Sequence, residues 1–231
     1  MNQPLAYIHP NARIAEDVKI EAFAWIGEDV EIGSGTWIGP NATIMDGARI
    51  GKNCKIFPGA VISAIPQDLK YQGETTYCYI GDGTTVRESA TVNKGTSASG
   101  KTVVGKDCLL MAFTHVAHDC YVGDHVIMAN AATLAGHITV DDWAIFGGLA
   151  AVSQFCRIGS HVMICGGSLG QQGHSAVCED GAGLSRVLCW RQFHRIDASW
   201  FYAPAHQRHS GCVSRDLQRG HEYVSIRAIY P

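Results

Sequence analysis

The chain has no CxxC pair, no run of about five like charges and no stretch of about 18 consecutive apolar residues. Each absence excludes something. Without a long apolar run there is no integral membrane segment to expect. With only 17% charged residues and a formal net charge of -3, the chain has no basic field for a phosphate backbone, so nucleic acid is not an expected partner. The first ten residues, MNQPLAYIHP, lack the basic start and apolar stretch of a secretory leader, which places the expected location in the cytoplasm. Nine cysteines are present, an odd number, and in a reducing compartment they read as small buried hydrophobes rather than a disulfide framework. The 231 residues, 46% of them hydrophobic, suffice for one domain with a sizeable core plus an appendage.

What the chain does contain is a period of six. From Ile8 the series runs Ile14, Ile20, Ile26, Ile32, Ile38, Ile44, Ile50, Ile56 and Ile62 without a break. A second series is Ile80, Val86 and Val92. A third runs Val104, Leu110, Val116, Val122, Met128, Leu134, Val140, Phe146, Val152, Ile158 and Ile164. Six fits neither the 3.6-residue period of a helix nor the long alternation of a flat sheet, and it is a signature of β-helical solenoids. Each unit supplies one short strand and one corner, and three units close a coil. Glycines directly after the inward residue, as in Ile26-Gly27, Ile32-Gly33, Ile38-Gly39 and Ile50-Gly51, are expected to relax the backbone at the bends. The period gives a solenoid but not its hand.

Two interruptions break the count. Residues 63–79, SAIPQDLKYQGETTYCY, carry no inward series and read as a loop thrown out of the coil. A shorter loop, NKGTSASGK, lies between Val92 and Val104. Loops on a rigid scaffold are where binding residues concentrate.

The densest chemical cluster is THVAHD, Thr114 to Asp119, with Val116 at the inward position and His115 and His118 on either side. A histidine is suited to take a proton from a hydroxyl near neutral pH, and an aspartate can fix its tautomer. His118 followed by Asp119 offers that pair if the backbone bend brings the carboxylate to the ring. His137 follows His118 by nineteen residues, about one coil, so the two should be near neighbours. Three clustered histidines, His115, His118 and His137, also leave open a zinc hydratase like the γ-type carbonic anhydrases.

The segments QDLKYQGE (67–74), IGDGTTVRESATVNKGT (80–96), LLMAFTHVAHDCYVGD (109–124) and NAATLAGHITVDDWAIFGGLAAVSQF (130–155) resemble, in order, the bacterial acyl-carrier-protein:UDP-N-acetylglucosamine O-acyltransferases of lipid A biosynthesis, over the chain up to about Leu169. That resemblance implies an all-β, left-handed parallel β-helix and a homotrimer. It implies transfer of a (3R)-3-hydroxyacyl group from acyl carrier protein to UDP-N-acetylglucosamine, with no metal and no cofactor. His118 falls on the family's general base, Asp119 on the residue that orients it, and Gly136 on the backbone N–H that steadies the oxyanion. Asp68, Lys70, His115, His137 and Gln154 fall among substrate-contacting positions. Gly166 falls where bulk limits the acyl groove, so glycine there implies room for a long chain. Ser153 stands where the family commonly has histidine. The N-acyltransferase of the same pathway carries a uridine-binding domain ahead of its repeats, whereas the repeats here begin by Ile8.

The resemblance stops with the repeats. Residues 1–169 are expected to form the β-helix domain, and 170–231 an atypical, poorly ordered tail with seven arginines and no lysine, where the family has a helical segment. Codons permitted for Val187 to Phe201, read one nucleotide later, can spell SYAGVNSTGLMRRGF, and those from Gly170 onward VNKDIPPFV. Both resemble the family's C-terminal sequence, so a frameshift near codon 170 is expected. The histidines at 174, 194, 206, 209 and 221 then carry no functional meaning, and a catalytically silent β-helical scaffold is the further alternative.

Overall fold

In a computed structural model the described residues, 5–170, form a left-handed parallel β-helix of twenty-five short strands, from Tyr7–Ile8 to Leu169–Gly170. Of the tail expected over 170–231, Gly170 ends the last strand of the coil and the rest, with its histidines, lies outside the described residues. Most strands are two residues long because each six-residue unit turns a corner after its inward side chain. Parallel pairing between successive coils collects the strands into three sheets of nine, eight and eight strands, with no helix among the described residues. None is therefore long and apolar enough to cross a membrane.

Register explains the hydrophobic count. One sheet stacks Ile8, Ile26, Ile44 and Ile62 on one another, then Val92, Val116, Leu134 and Val152. The other two sheets stack their inward residues in the same way, and nearly all are buried to 4% exposure or less. Ladder partners are eighteen apart except across the two interruptions, where Ile62 meets Val92 and Val92 meets Val116. The insertions are shorter than the sequence suggests. Strands Val61–Ala64 and Tyr77–Ile80 extend into the first, with Cys78 buried between Ala48 and Thr102. Strands Thr91–Asn93 and Lys101–Val104 bound the second.

The bends do not fall at the glycines after the inward residue. Left-handed backbone recurs three residues after it, at Phe23, Asn41, Asn53, Ser89, Asp107, Phe113, Asp119, His125, Ala131, His137, Trp143, Leu149, Phe155 and His161, and at Gly35, Gly47, Gly59, Gly83 and Gly167. The glycines directly after the inward residue are needed for a different reason, which is the approach of the neighbouring coil. A Cβ on Gly33 would lie 2.8 Å from the Gly51 carbonyl carbon, and one on Gly81 2.5 Å from that of Gly105.

Inward polar side chains close a second ladder. Thr36 and Thr84 donate to the carbonyls of Gly51 and Gly105, and their hydroxyl oxygens accept from the N–H groups of Cys54 and Cys108. The Cys54 and Cys108 thiols in turn lie 3.2 and 3.1 Å from the carbonyls of Gly81 and Gly123. Burial without a partner is costly for such groups, and the coil geometry supplies one.

Candidate active site

The candidate site lies on the edge that follows the strand His115–Val116. Val116 points into the core, His115 faces outward beside it, and Ala117 and His118 lead into the left-handed corner at Asp119. That corner turns the Asp119 carboxylate back onto its neighbour, and His118 Nδ1 lies 2.8 Å from Asp119 Oδ2. The hydroxyl of buried Thr102 accepts the Asp119 N–H at 2.9 Å, fixing the corner from below.

The carboxylate has no exposed surface, yet it is heavily solvated by the protein. Oδ1 accepts the N–H groups of Thr96 and Ser99, at 3.0 and 3.2 Å, and a short bond from the Ser99 hydroxyl. Oδ2 accepts the Thr96 hydroxyl at 2.6 Å together with His118. Burial by itself pushes this carboxyl upward, but the bonds from Ser99, Thr96 and His118 outweigh it and hold the group at about 2, ionised near neutral pH. An ionised partner at Nδ1 places the ring proton there and leaves Nε2 of His118 as the free nitrogen.

One coil further, the same register positions supply Gly136 and His137. Val116 pairs with Leu134 and Leu134 with Val152, so His118, Gly136 and Gln154 occupy equivalent places on three successive coils. The ring of His118 lies against Gly136 so closely that a Cβ there would be 2.6 Å from Cε1 and 2.7 Å from Nε2. His137 takes the left-handed corner, its ring edge-on to His118 at 5.1 Å between centroids. Its Nε2 is 3.8 Å from Asp119 Oδ2, and its other neighbour is Phe155, stacked at 4.6 Å. The nineteen-residue spacing thus does bring the two histidines together.

The other expected residues are distributed unevenly. His115 hydrogen-bonds Thr91 Oγ1 through Nδ1 at 2.7 Å, and burial, with the His118 charge nearby, holds its pKa below the ordinary value. Gln154 is exposed, one coil above Gly136. Asp68 and Lys70 lie in the external loop, where Asp68 Oδ1 accepts the Lys70 N–H at 2.9 Å. Among the described residues, no hydrogen bond or ion pair ties them to the histidines. Gly166 follows Ile164 in a different sheet, against the carbonyl of Gly148, and so stands on another edge of the coil from His118.

Sequence reading missed Thr96 and Ser99, because nothing in a Ser/Thr-bearing loop says which carboxylate it will reach, and it missed the strand residues Thr91 and Thr102, which bond the His115 ring and the Asp119 N–H. It also missed Asn93, whose amide nitrogen donates to the carbonyls of Ala64 and Ile65 while its buried Oδ1 has no partner. Ligand atoms of His118, Asp119 and His137 lie within 4.8 Å of one another, close enough for a metal. Their donors are largely committed, however. His118 Nδ1 and Asp119 Oδ2 bind each other, and Thr96 and Ser99 take the rest of the carboxylate. The three-histidine set considered for zinc does not form as such: the cluster whose ligand atoms come together is His118, Asp119 and His137, without His115.

Residues 29–64 and 101–136 match the bacterial transferase hexapeptide (six repeats) family. The chain is 52% identical over 167 residues to the acyl-(acyl-carrier-protein)–UDP-N-acetylglucosamine O-acyltransferase of Xylella fastidiosa, covering 72% of this chain and 64% of that protein. It is 54% identical over 161 residues to the enzyme of the same name from Thiobacillus denitrificans, with 69% and 62% covered. The crystal structure of a UDP-N-acetylglucosamine acyltransferase from Bacteroides fragilis aligns with a TM-score of 0.73 at 49% identity, covering 74% of this chain and 67% of that one. The chain therefore spans a little under two thirds of the length of these two sequence relatives.

Proposed function

Since the chain belongs to the hexapeptide-repeat UDP-N-acetylglucosamine O-acyltransferases, we propose that it moves a (3R)-3-hydroxyacyl group from acyl carrier protein to the 3-hydroxyl of UDP-N-acetylglucosamine. This would be the first step of lipid A biosynthesis. The observation that carries the reading is the His118–Asp119 pair at 2.8 Å, with Gly136 packed beneath the imidazole.

In this mechanism Nε2 of His118 takes the proton of the sugar hydroxyl as its oxygen attacks the thioester carbonyl. Asp119, bonded at Nδ1, supports the imidazolium that forms. The Gly136 N–H donates to the oxyanion of the tetrahedral intermediate. Collapse breaks the carbon–sulfur bond, and the imidazolium returns its proton to the leaving thiolate, so no acyl-enzyme forms. Asp68, Lys70, His115, His137 and Gln154 contact substrate in this reading, and Gly166 leaves room for a long acyl chain. The working unit is a cytoplasmic homotrimer, with sites between neighbouring subunits supplying the groups that one chain does not bring to His118. Residues 170–231 are a frame-shifted counterpart of the family's C-terminal segment. Sequencing the gene tests that point, and finding the family's tail in no alternative frame would overturn it.

The deciding experiment is transfer from 3-hydroxyacyl carrier protein to UDP-N-acetylglucosamine by the purified chain, with His118→Ala beside it. Removing a general base is expected to lower kcat by about 10²- to 10⁴-fold. Activity that survives the substitution would sink the mechanism. A soluble, folded chain with no activity would favour the silent scaffold.

A further inference from the structure

The loop between strands Thr91–Asn93 and Lys101–Val104 adds six residues to the eighteen-residue coil, and it is pinned at both ends. Lys94 N–H donates to the Ala64 carbonyl at 2.9 Å and Gly95 N–H to that of Tyr77 at 3.1 Å. Thr76 Oγ1 donates to the Gly95 carbonyl at 2.6 Å, and the Gly100 carbonyl accepts from Tyr77 N–H at 3.0 Å. Gly100 N–H closes the loop on the Thr96 carbonyl at 2.7 Å. This anchoring puts Thr96, 7% exposed, directly over Asp119.

Thr96 and Ser99 differ in what their single hydroxyl protons can do. The Ser99 hydroxyl faces two acceptors, Asp119 Oδ1 and the Lys101 carbonyl at 2.8 Å, and can serve only one at a time. The Thr96 oxygen accepts the Ala98 N–H at 3.2 Å, which orients its own proton toward Asp119 Oδ2. Oδ1 is meanwhile held by the N–H groups of Thr96 and Ser99. With Oδ1 held from the loop and Oδ2 shared between Thr96 and His118, the carboxylate has one orientation.

Building on the acyltransferase reading, we propose that Thr96 is a positioning residue: its hydroxyl locks Asp119 so that Oδ2 faces His118 Nδ1 and Nε2 is left to work as the base. It touches neither substrate nor the reacting atoms and acts through Asp119 alone.

The test uses the full chain with Thr96→Val, Thr96→Ser, Asp119→Asn and the Thr96→Val/Asp119→Asn double variant. Thr96→Cys, a weak donor of similar size, is the substitute should Thr96→Val not fold. Two independent readouts apply: steady-state kinetics, and ¹H–¹⁵N correlation spectra of the His118 ring nitrogens. In the wild type the neutral ring should carry its proton on Nδ1, and in Thr96→Val the two tautomers should mix. kcat should fall about tenfold, as expected for a misaligned base, with both KM values and the melting temperature little changed. Thr96→Ser should restore both signals, and Thr96→Val should cost nothing further in the Asp119→Asn background.

A wild-type tautomer and kcat in Thr96→Val would overturn the proposal, as would an equal loss in the Asp119→Asn background. If the wild type transfers no acyl chain while the His118 tautomer still follows Thr96, the functional reading fails and the positioning role stands.

Discussion

His118 and Asp119 are adjacent in the chain, yet Nδ1 of one lies 2.8 Å from Oδ2 of the other. In an extended strand, consecutive side chains point to opposite faces. The contact exists because Asp119 occupies the left-handed corner, at φ 58°, where each coil turns. A residue that would ordinarily point away is folded back onto the imidazole, and the solenoid's own geometry builds the pair.

Gly136→Ala is expected to disable the site while leaving the fold intact. Its φ is not in the left-handed region, so the backbone accepts alanine, but the new methyl would lie 2.6 Å from His118 Cε1. The ring has to move and carry Nε2 away from its working place. A displacement of about 1 Å commonly costs about 100-fold in rate, and that loss in kcat, in a chain that still unfolds cooperatively, is the expected result. Wild-type kcat in this variant would show that the ring position is not critical.

Asp119 also links stability to pH. Its folded-state pKa, about 2, is depressed below the ordinary 3.8, so ionisation stabilises the native state. That contribution is fully present above the ordinary carboxylate range and is lost as pH falls toward about 2. Urea unfolding of wild type and Asp119→Asn should therefore show the wild type ahead at pH 6. The gap should close as pH is lowered from about 4 toward 2. A constant gap across that range would show that the carboxylate's charge is not what the site holds.

How much of this was legible in the sequence follows from which signals are periodic. The stacking of Ile8 through Ile62 was readable because an inward residue every six positions leaves few alternatives, and the His118–His137 neighbourhood follows from the coil length. Corner positions such as Phe113, His125 and Leu149 were not readable, since phenylalanine, histidine and leucine give no hint of left-handed backbone. Nor was Thr96 over Asp119, which depends on the path of an inserted loop rather than on any repeat. Gly166 stands on another edge of the coil from His118 because it follows Ile164, whose strand belongs to a different sheet from that of Val116.

The cysteines should divide by reactivity. Burial pushes the thiols of Cys54 and Cys108 up to about 11 and those of Cys78 and Cys120 up to about 12, whereas Cys156 and Cys165 are only partly buried. Iodoacetamide at pH 8 attacks thiolates, so among the six cysteines of the described residues peptide mapping should find Cys156 and Cys165 modified first. The four buried cysteines should stay unmodified until urea unfolds the chain. Early labelling of Cys54 or Cys108 in the folded protein would mean that the coil opens locally at that ladder.

Ala131→Gly should stabilise the protein, against the usual sign for losing a methyl group. Ala131 occupies the corner after Met128 at φ 59°, where an L side chain crowds the following carbonyl at a cost of about 1–2 kcal/mol, and glycine carries no such penalty. Against this stand glycine's larger loss of chain entropy, about 0.5–1 kcal/mol, and one partly buried methyl. The difference favours glycine by up to about 1 kcal/mol. The control is Ala132→Gly at the next position, fully buried between neighbouring coils and outside the left-handed region. There the entropy loss and the lost packing act together, so the sign reverses. Urea unfolding of the two variants should move the midpoint in opposite directions, and a midpoint lowered in both would show that the left-handed corners of this coil carry no strain for alanine.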